Sequence, residues 1–350
     1  MSQRIIVLTE GHSDPHAAKT AVSVIRYRTQ DVVAVLDSTA AGKTSQQLLG
    51  VGGAIPVVGS LEDAPAADAL LVGIAPPGGR LPATMRRAVL AAIERGMGVI
   101  SGLHEFLAND AEFAAAAAKS GSQLYDVRRN YERDIAERTG IDERCLRIHT
   151  VGLDCAVGKM VVSIEVAAAL RAKGHDAQFV ATGQTGIMIA GEGCPIDCVV
   201  ADFINGAAEK LVLANQHHEI IVIEGQGSLA HPAYSAVTLG LLHGSIPDGL
   251  ILCYEVDRTH VESGKCQVPL KSLAEMIRIN EVMANVMHPC RVIGVAMNSR
   301  RSTPAAADEE RERVRNELGL PVCDVFRHGA QDLADAVLKL QKELGKDRDC

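Results

Sequence analysis

"GLDCAVGKMVVS", residues 152–163, decides how the second half of this chain is read. A common phosphate-binding loop runs Gly-x4-Gly-Lys-Ser/Thr between a strand and a helix. Here Gly158 and Lys159 are followed by Met160 and Val161, and Gly152 lies one residue further upstream than that pattern asks. Gly152 closes an apolar strand-like run and Lys159 opens a helix-like one. Between them, Asp154, Cys155, Ala156 and Val157 are small or compact. In that setting main-chain N–H groups converge on an anion, the helix N-terminus adds partial positive charge, and the lysine adds a full one. "AAGKT", residues 40–44, is a decoy. It ends in Gly-Lys-Thr, but Asp37 stands where the upstream glycine belongs, so it reads as a surface loop.

The residue after the lysine narrows the ligand. In nucleotide hydrolases and kinases a hydroxyl there holds the magnesium that bridges the phosphates. The Met160 thioether is too soft for a hard cation, and Ser163 lies about 5 Å further along the helix. Asp154 offers another metal ligand, which keeps Mg-ATP open as an alternative. The simpler reading is a loop that holds phosphates with no metal at that point. Coenzyme A offers such a group, an adenosine with a pyrophosphate and no reacting γ-phosphate.

Outward from the loop, two alternating strand–helix patterns appear. Residues 4–9, 31–37, 69–75 and 98–102 are short Val/Ile/Leu runs ending in Gly, Asp or Pro. Residues 146–152, 177–182, 219–225, 249–255, 291–298 and 321–325 repeat the pattern, with helical stretches such as 160–174 and 270–287 between. Such runs mark parallel sheets buried on both faces. The charged stretch 126–145 reads as a linker. The expectation is α/β with two doubly wound domains. The first, 1–125, is Rossmann-like, and the second, 146–350, resembles a P-loop NTPase with a mostly parallel sheet.

Ligands of such sheets bind beyond the carboxyl ends of the strands. There the second half places Glu224, as a Walker B-type acid, before a loop with Gly225, Gln226 and Gly227. Gly183, Gln184, Thr185 and Gly186 form another glycine-rich turn, and Asn298 ends a strand where an adenine edge can be read. The opening turn of the first half, "TEGHSDPHAAK" (9–19), has one glycine and no G-x-G-x-x-G, so NAD is not expected there.

The chain has 350 residues, 47% hydrophobic and 22% charged, with a formal net charge of -8. That balance supports two cores and argues against general nucleic-acid binding, which needs a basic surface. No apolar run approaches the ~18 residues of a membrane span, and "MSQRIIVLTEGHS" lacks signal-peptide features. Nine cysteines scattered through apolar runs suit reduced cytoplasmic thiols. Cys194 and Cys198 have no second pair at metal spacing, and no metal site is expected.

"GLDCAVGK" resembles the corresponding loop of dethiobiotin synthetase, and "EGQGS" (224–228) that enzyme's glycine-rich acid loop. "IAPPGGRLP" (74–82), "SGLHEFL" (101–107), "ATGQTGIMIAG" (181–191), "VVADFINGAAE" (199–209), "EGQGSLAHPAYSAVTLGLLHGSIPD" (224–248) and "AMNSR" (296–300) resemble a bacterial family long labelled as of unknown function. Members of that family are assigned as D-glutamate N-acetyltransferases. The family pattern has threonine where this chain has Val161. The resemblance covers nearly the whole chain. It implies an acyltransferase that moves acetyl from acetyl-CoA to the amine of an amino acid, D-glutamate first.

Acetyl transfer needs a held thioester, a neutral amine and donors for the developing oxyanion. Residues 152–159 would anchor the donor, and the N–H groups of the 183–186 or 225–228 turn would face the oxyanion. Glu224 and His231 are candidate bases, with Asp202 third or orienting the lysine. Arg80, with Gly79 beside it, and then Arg258 are candidates for the acceptor's carboxylates. The competing classes are an ATP-dependent ligase or kinase of the dethiobiotin synthetase type and a non-catalytic nucleotide or CoA sensor. The expected setting is a cytoplasmic homo-oligomer.

Overall fold

The parallel-sheet runs fold as their hydrophobicity dictates. The computed structural model describes residues 3–14, 17–261 and 267–346, in two units. The first comprises residues up to Arg129 with Ile187–Gly191, and the second Asn130–Gly186 and the residues from Glu192 on.

The first unit holds β1 (Ile5–Leu8), α1 (Lys19–Tyr27), β2 (Val32–Leu36), α2 (Ser45–Leu49), β3 (Val57–Val58), β4 (Ala69–Val72), α3 (Ala83–Glu94), β5 (Gly98–Ser101), α4 (Ala111–Ser120) and β6 (Leu124–Asp126). Its sheet runs β3-β2-β1-β4-β5-β6, all parallel, which is the Rossmann order. Every residue of β1 and β4 is buried, because helices cover both faces. Two strands escaped the sequence reading. Strand β3 has two residues, and in β6 the exposed Tyr125 interrupts the apolar pattern.

Asp37 follows β2, fully buried, and gathers the donors of the turn after β1. Its carboxylate accepts Thr9 Oγ1 at 3.3 Å, the Gly11 N–H at 3.1 Å and Ser13 Oγ, with Thr39 N–H and Oγ1 at 3.0 and 2.6 Å. Burial alone would raise this carboxyl, but those bonds hold it below its ordinary value. In the 40–44 segment Thr44 caps α2 and Lys43 is exposed, so the Gly-Lys-Thr is a helix start.

The second unit holds β7 (Leu146–Gly152), α5 (Lys159–Ala172), β8 (Ala177–Val180), α6 (Gln184–Ala190, whose last residues belong to the first unit), α7 (Ile204–Asn215), β9 (Ile220–Ile223), α8 (Ser235–Ser245), β10 (Gly249–Glu255), α9 (Leu273–Asn285), β11 (Arg291–Asn298), α10 (Pro304–Leu318), β12 (Val322–Cys323) and α11 (Gln331–Glu343). Its sheet, β12-β11-β10-β7-β9-β8, is also all parallel, so Gly152, Glu224, Glu255 and Asn298 lie at one edge. Residues 130–145 form no helix or strand. The N–H groups of Glu137 and Arg138 donate to the buried Glu209 carboxylate on α7 at 2.8 and 2.9 Å.

At the opposite edge, Asp248 Oδ1 meets Arg147 at 3.1 Å, His288 at 2.9 Å and Lys346 at 2.7 Å. Burial raises the Asp248 carboxyl, yet these partners bring it below its ordinary value. Among the described residues no disulfide forms, and burial pushes the Cys194 thiol up to about 12. No helix among them is long and apolar enough to cross a membrane.

Candidate active site

Strand β7 delivers Gly152 and helix α5 begins at Lys159, with Gly158 between them at φ 107°, a left-handed conformation that glycine adopts without strain. The first turn of α5 therefore brings N–H groups without helical acceptors to the loop. The Lys159 ammonium is buried and donates to the Asp154 carbonyl at 2.8 Å, and burial lowers its pKa. Asp154 Oδ1 accepts the Cys155 N–H at 2.7 Å, and Oδ2 accepts Arg258 Nη1 at 2.9 Å. The same Arg258 nitrogen reaches the Cys155 carbonyl at 2.8 Å, and its other arm binds Glu255. Arg258 thus braces the loop. Ser163 turns inward to the Lys159 carbonyl and Thr150 Oγ1. Asn298 Nδ2 lies 4.0 Å from where a Gly158 Cβ would stand.

Glu224 follows β9 and is 4% exposed. Its Oε2 accepts the N–H groups of Thr182 at 2.9 Å and Gly183 at 3.0 Å. Burial outweighs those bonds and pushes the carboxyl up to about 7. A Cβ on Gly186 would run into Glu224 Oε2, so the turn of Gly183, Gln184, Thr185 and Gly186 sits directly on the acid. Gly225 donates to Thr150 Oγ1 at 2.9 Å, and a Cβ there would overlap the Thr150 carbonyl. Ser228 Oγ donates to the Leu153 carbonyl at 3.0 Å, and Thr238 Oγ1 to the Gln226 carbonyl at 2.7 Å, across Gly227. The three predicted loops therefore meet around Lys159 and Glu224.

His231 is buried, and its Nδ1 accepts the Ala233 N–H at 3.0 Å. The neutral ring then carries its proton on Nε2, which makes no hydrogen bond and lies 3.9 Å from Asp154 Oδ1. This tautomer suits Nε2 to donating a hydrogen bond rather than accepting a proton. Asp154, Cys155 and His231 offer donor atoms within 4.8 Å of one another, the spacing of a metal site. A ligating histidine normally donates its other N–H, and here that nitrogen is an acceptor.

One predicted residue of the same unit lies outside this cluster. Asp202 is exposed in the 3-10 turn Ala201–Phe203 before α7, and Lys159 is oriented by Asp154 instead. Arg80 is exposed in the first unit. Gly79 is buried there at φ 63°, with space for a Cβ taken by the His104 ring. Sequence reasoning missed Thr150 and Thr182, the hydroxyls that tie the loops together, because each sits in or beside an apolar strand run.

A Rossmann-order unit followed by a parallel sheet whose central strand runs into a Gly-Lys helix start defines a two-unit α/β protein with a P-loop. The chain is similar to "Domain of unknown function (DUF1611_C) P-loop domain" over residues 132–334 and to "Domain of unknown function (DUF1611_N) Rossmann-like domain" over 38–130. It belongs to the DUF1611 family. A crystal structure of a DUF1611 family protein from Anabaena variabilis superposes with a TM-score of 0.90 at 36% identity, covering 96% of this chain and 99% of that one. A D-glutamate N-acetyltransferase of Tritonibacter scottomollicae is 39% identical over 282 residues, 79% of this chain and 84% of its own. One of a Pseudoalteromonas species is 38% identical over 268 residues, 76% and 80% of the two. Identity at that level across both units makes this chain an acyltransferase of the N-acetyltransferase kind.

Proposed function

We propose that the protein moves the acetyl group of acetyl-CoA onto the amine of D-glutamate. The observation that carries the reading is Glu224, a carboxyl raised to about 7 at the floor of two glycine-rich turns and next to the phosphate loop. A base poised near neutral pH suits an amine nucleophile. The amine nitrogen forms a bond to the thioester carbonyl carbon and gives its proton to Glu224. The carbonyl oxygen carries the developing negative charge, and His231 Nε2–H, buried without a hydrogen-bond partner and 3.9 Å from Asp154 Oδ1, is the side-chain donor for it. Collapse breaks the carbon–sulfur bond, and the thiolate takes the proton from Glu224.

Residues 152–159 hold the diphosphate, with Lys159 exchanging the Asp154 carbonyl for phosphate oxygen. The enzyme is proposed to work in the cytoplasm as a homo-oligomer on small molecules, without nucleic acid or membrane. The test is thiol release from acetyl-CoA in the presence of D- or L-glutamate, beside a thermal-shift comparison of acetyl-CoA, CoA and Mg-ATP. Acetyl-CoA should raise the melting temperature and D-glutamate should release thiol. Stabilisation by Mg-ATP alone, with no thiol released, refutes the reading.

A further inference from the structure

Three guanidinium groups converge on one carboxylate beside the phosphate loop. Glu255, the last residue of β10, is 4% exposed. Its Oε1 accepts Nε and Nη2 of Arg300 at 3.2 and 3.1 Å, and Arg301 Nε lies 3.6 Å from the same oxygen. Its Oε2 is taken by Arg258, which also holds Asp154. Arg258 is shared between Glu255 and Asp154, so three guanidinium groups face two carboxylates and one positive charge is left over at these strand ends of a chain whose net charge is -8. Their side chains are 41% and 70% exposed, which leaves most of their ten N–H donors, about five on each guanidinium, to solvent.

The loop that carries them is held in place. Ser299 N–H and Oγ donate to Asp324 Oδ2 at 2.9 and 2.6 Å. Arg327 Nη2 donates to the carbonyls of Ser299 and Ser302 at 3.2 and 2.8 Å. The Arg300 N–H reaches Asn298 Oδ1 at 3.3 Å, and Asn298 in turn borders Gly158 of the phosphate loop. Phe326, 52% exposed, has its N–H on the same Asp324 and supplies an aromatic surface at this strand end. Arginines with unused donors on a hydrogen-bonded loop, at the same strand ends as the phosphate loop, are a receptor for a further phosphate on an adenosine.

We propose that Arg300 and Arg301 clamp the 3′-phosphate of the coenzyme A nucleotide and set donor specificity. The assignment rests on acetyl-CoA being the donor. It also separates the donor from ATP, which has a 3′-hydroxyl at that position.

The test is titration calorimetry of the full chain with CoA, 3′-dephospho-CoA, adenosine 3′,5′-bisphosphate and adenosine 2′,5′-bisphosphate. It is paired with kcat/KM for acetyl-CoA and its 3′-dephospho analogue. The wild type should prefer the 3′-phosphorylated donor by about 10- to 100-fold, as two charge-assisted contacts imply. In R300A/R301A that ratio should collapse to within about threefold, mainly through KM. R301A, at the more exposed position, should lose part of it, and R300K/R301K should recover part in KM. Equal wild-type affinity for CoA and dephospho-CoA overturns the proposal. So does a double variant that melts at the wild-type temperature and keeps the preference, or preference for the 2′,5′-bisphosphate over the 3′,5′. A wild type that prefers CoA over dephospho-CoA yet releases no thiol from acetyl-CoA leaves the clamp standing and removes the acetyl-transfer reading. No binding of CoA removes both.

Discussion

The two units begin alike, with a central parallel strand running into a turn and then a helix, and they treat that turn in opposite ways. After β1 the turn folds onto its own anion: Thr9, Gly11 and Ser13 all donate to Asp37, whose two oxygens are fully engaged. After β7 the carboxylate of Asp154 points away to Arg258 and the Cys155 N–H, and Lys159 rests on a neutral carbonyl. The acidic partner in the first turn closes it as structure. Its absence from the lysine in the second leaves a cation and a helix N-terminus for an outside anion. One fold motif is therefore closed by its own aspartate, Asp37, in one unit, and in the other leaves the lysine on a neutral carbonyl while Asp154 turns to Arg258.

The largest effect should come from the acid below the second turn. Glu224→Gln is expected to lower kcat by about 10²- to 10⁴-fold with little change in KM for the donor, read by steady-state thiol release. In the wild type kcat should rise with pH through about 7, because the base acts ionised. The stability contribution has the opposite sign. The folded pKa is raised from 4.5, so Glu224 favours the native state at low pH, and that contribution is lost as pH rises from about 4.5 to about 7. Melting curves of Glu224→Gln should lack this decline.

Next comes Lys159→Ala, expected to raise KM for acetyl-CoA roughly 10- to 100-fold while the protein stays folded. A donor KM that does not move would make the second turn as self-contained as the first. Asp37→Ala should do the reverse. It leaves buried donors of the first turn unmatched, costing about 2–4 kcal/mol in denaturant titration, with donor KM unchanged. The Asp37 carboxyl is held low, so its stabilisation is present above pH 3.8 and lost as pH falls below that. Smallest is Lys43→Ala in the decoy Gly-Lys-Thr. It should shift stability by less than about 0.5 kcal/mol and leave donor binding intact, because Lys43 is exposed and Thr44 does the capping.

Much of this contrast was legible before folding. Gly152, Lys159, Glu224 and Asn298 sit at the ends of long apolar runs, and a parallel sheet brings such ends together whatever the helices between them do. Asp37 was legible as a residue in the wrong place for phosphate binding, though not as the acceptor of a whole turn. What stayed hidden depends on contacts distant in sequence or on local backbone. Arg258 turns back to Asp154, and only that contact shows it as a brace. The Ala233 N–H fixes the His231 tautomer, and no residue pattern encodes it. Arg300 and Arg301 carry no motif of their own in the sequence, because their significance lies in sharing Glu255. Strands β3 and β6 were too short to leave a periodicity.

The stretch 130–145, polar enough to look dispensable, is stitched to α7 through Glu209 and to Gln216 through Asp142. Anyone excising the P-loop half at the first residue of β7 would strip a buried carboxylate of both its main-chain donors. A cut placed before Asn130 keeps that seam intact, so the practical border of the P-loop half lies well upstream of its first strand.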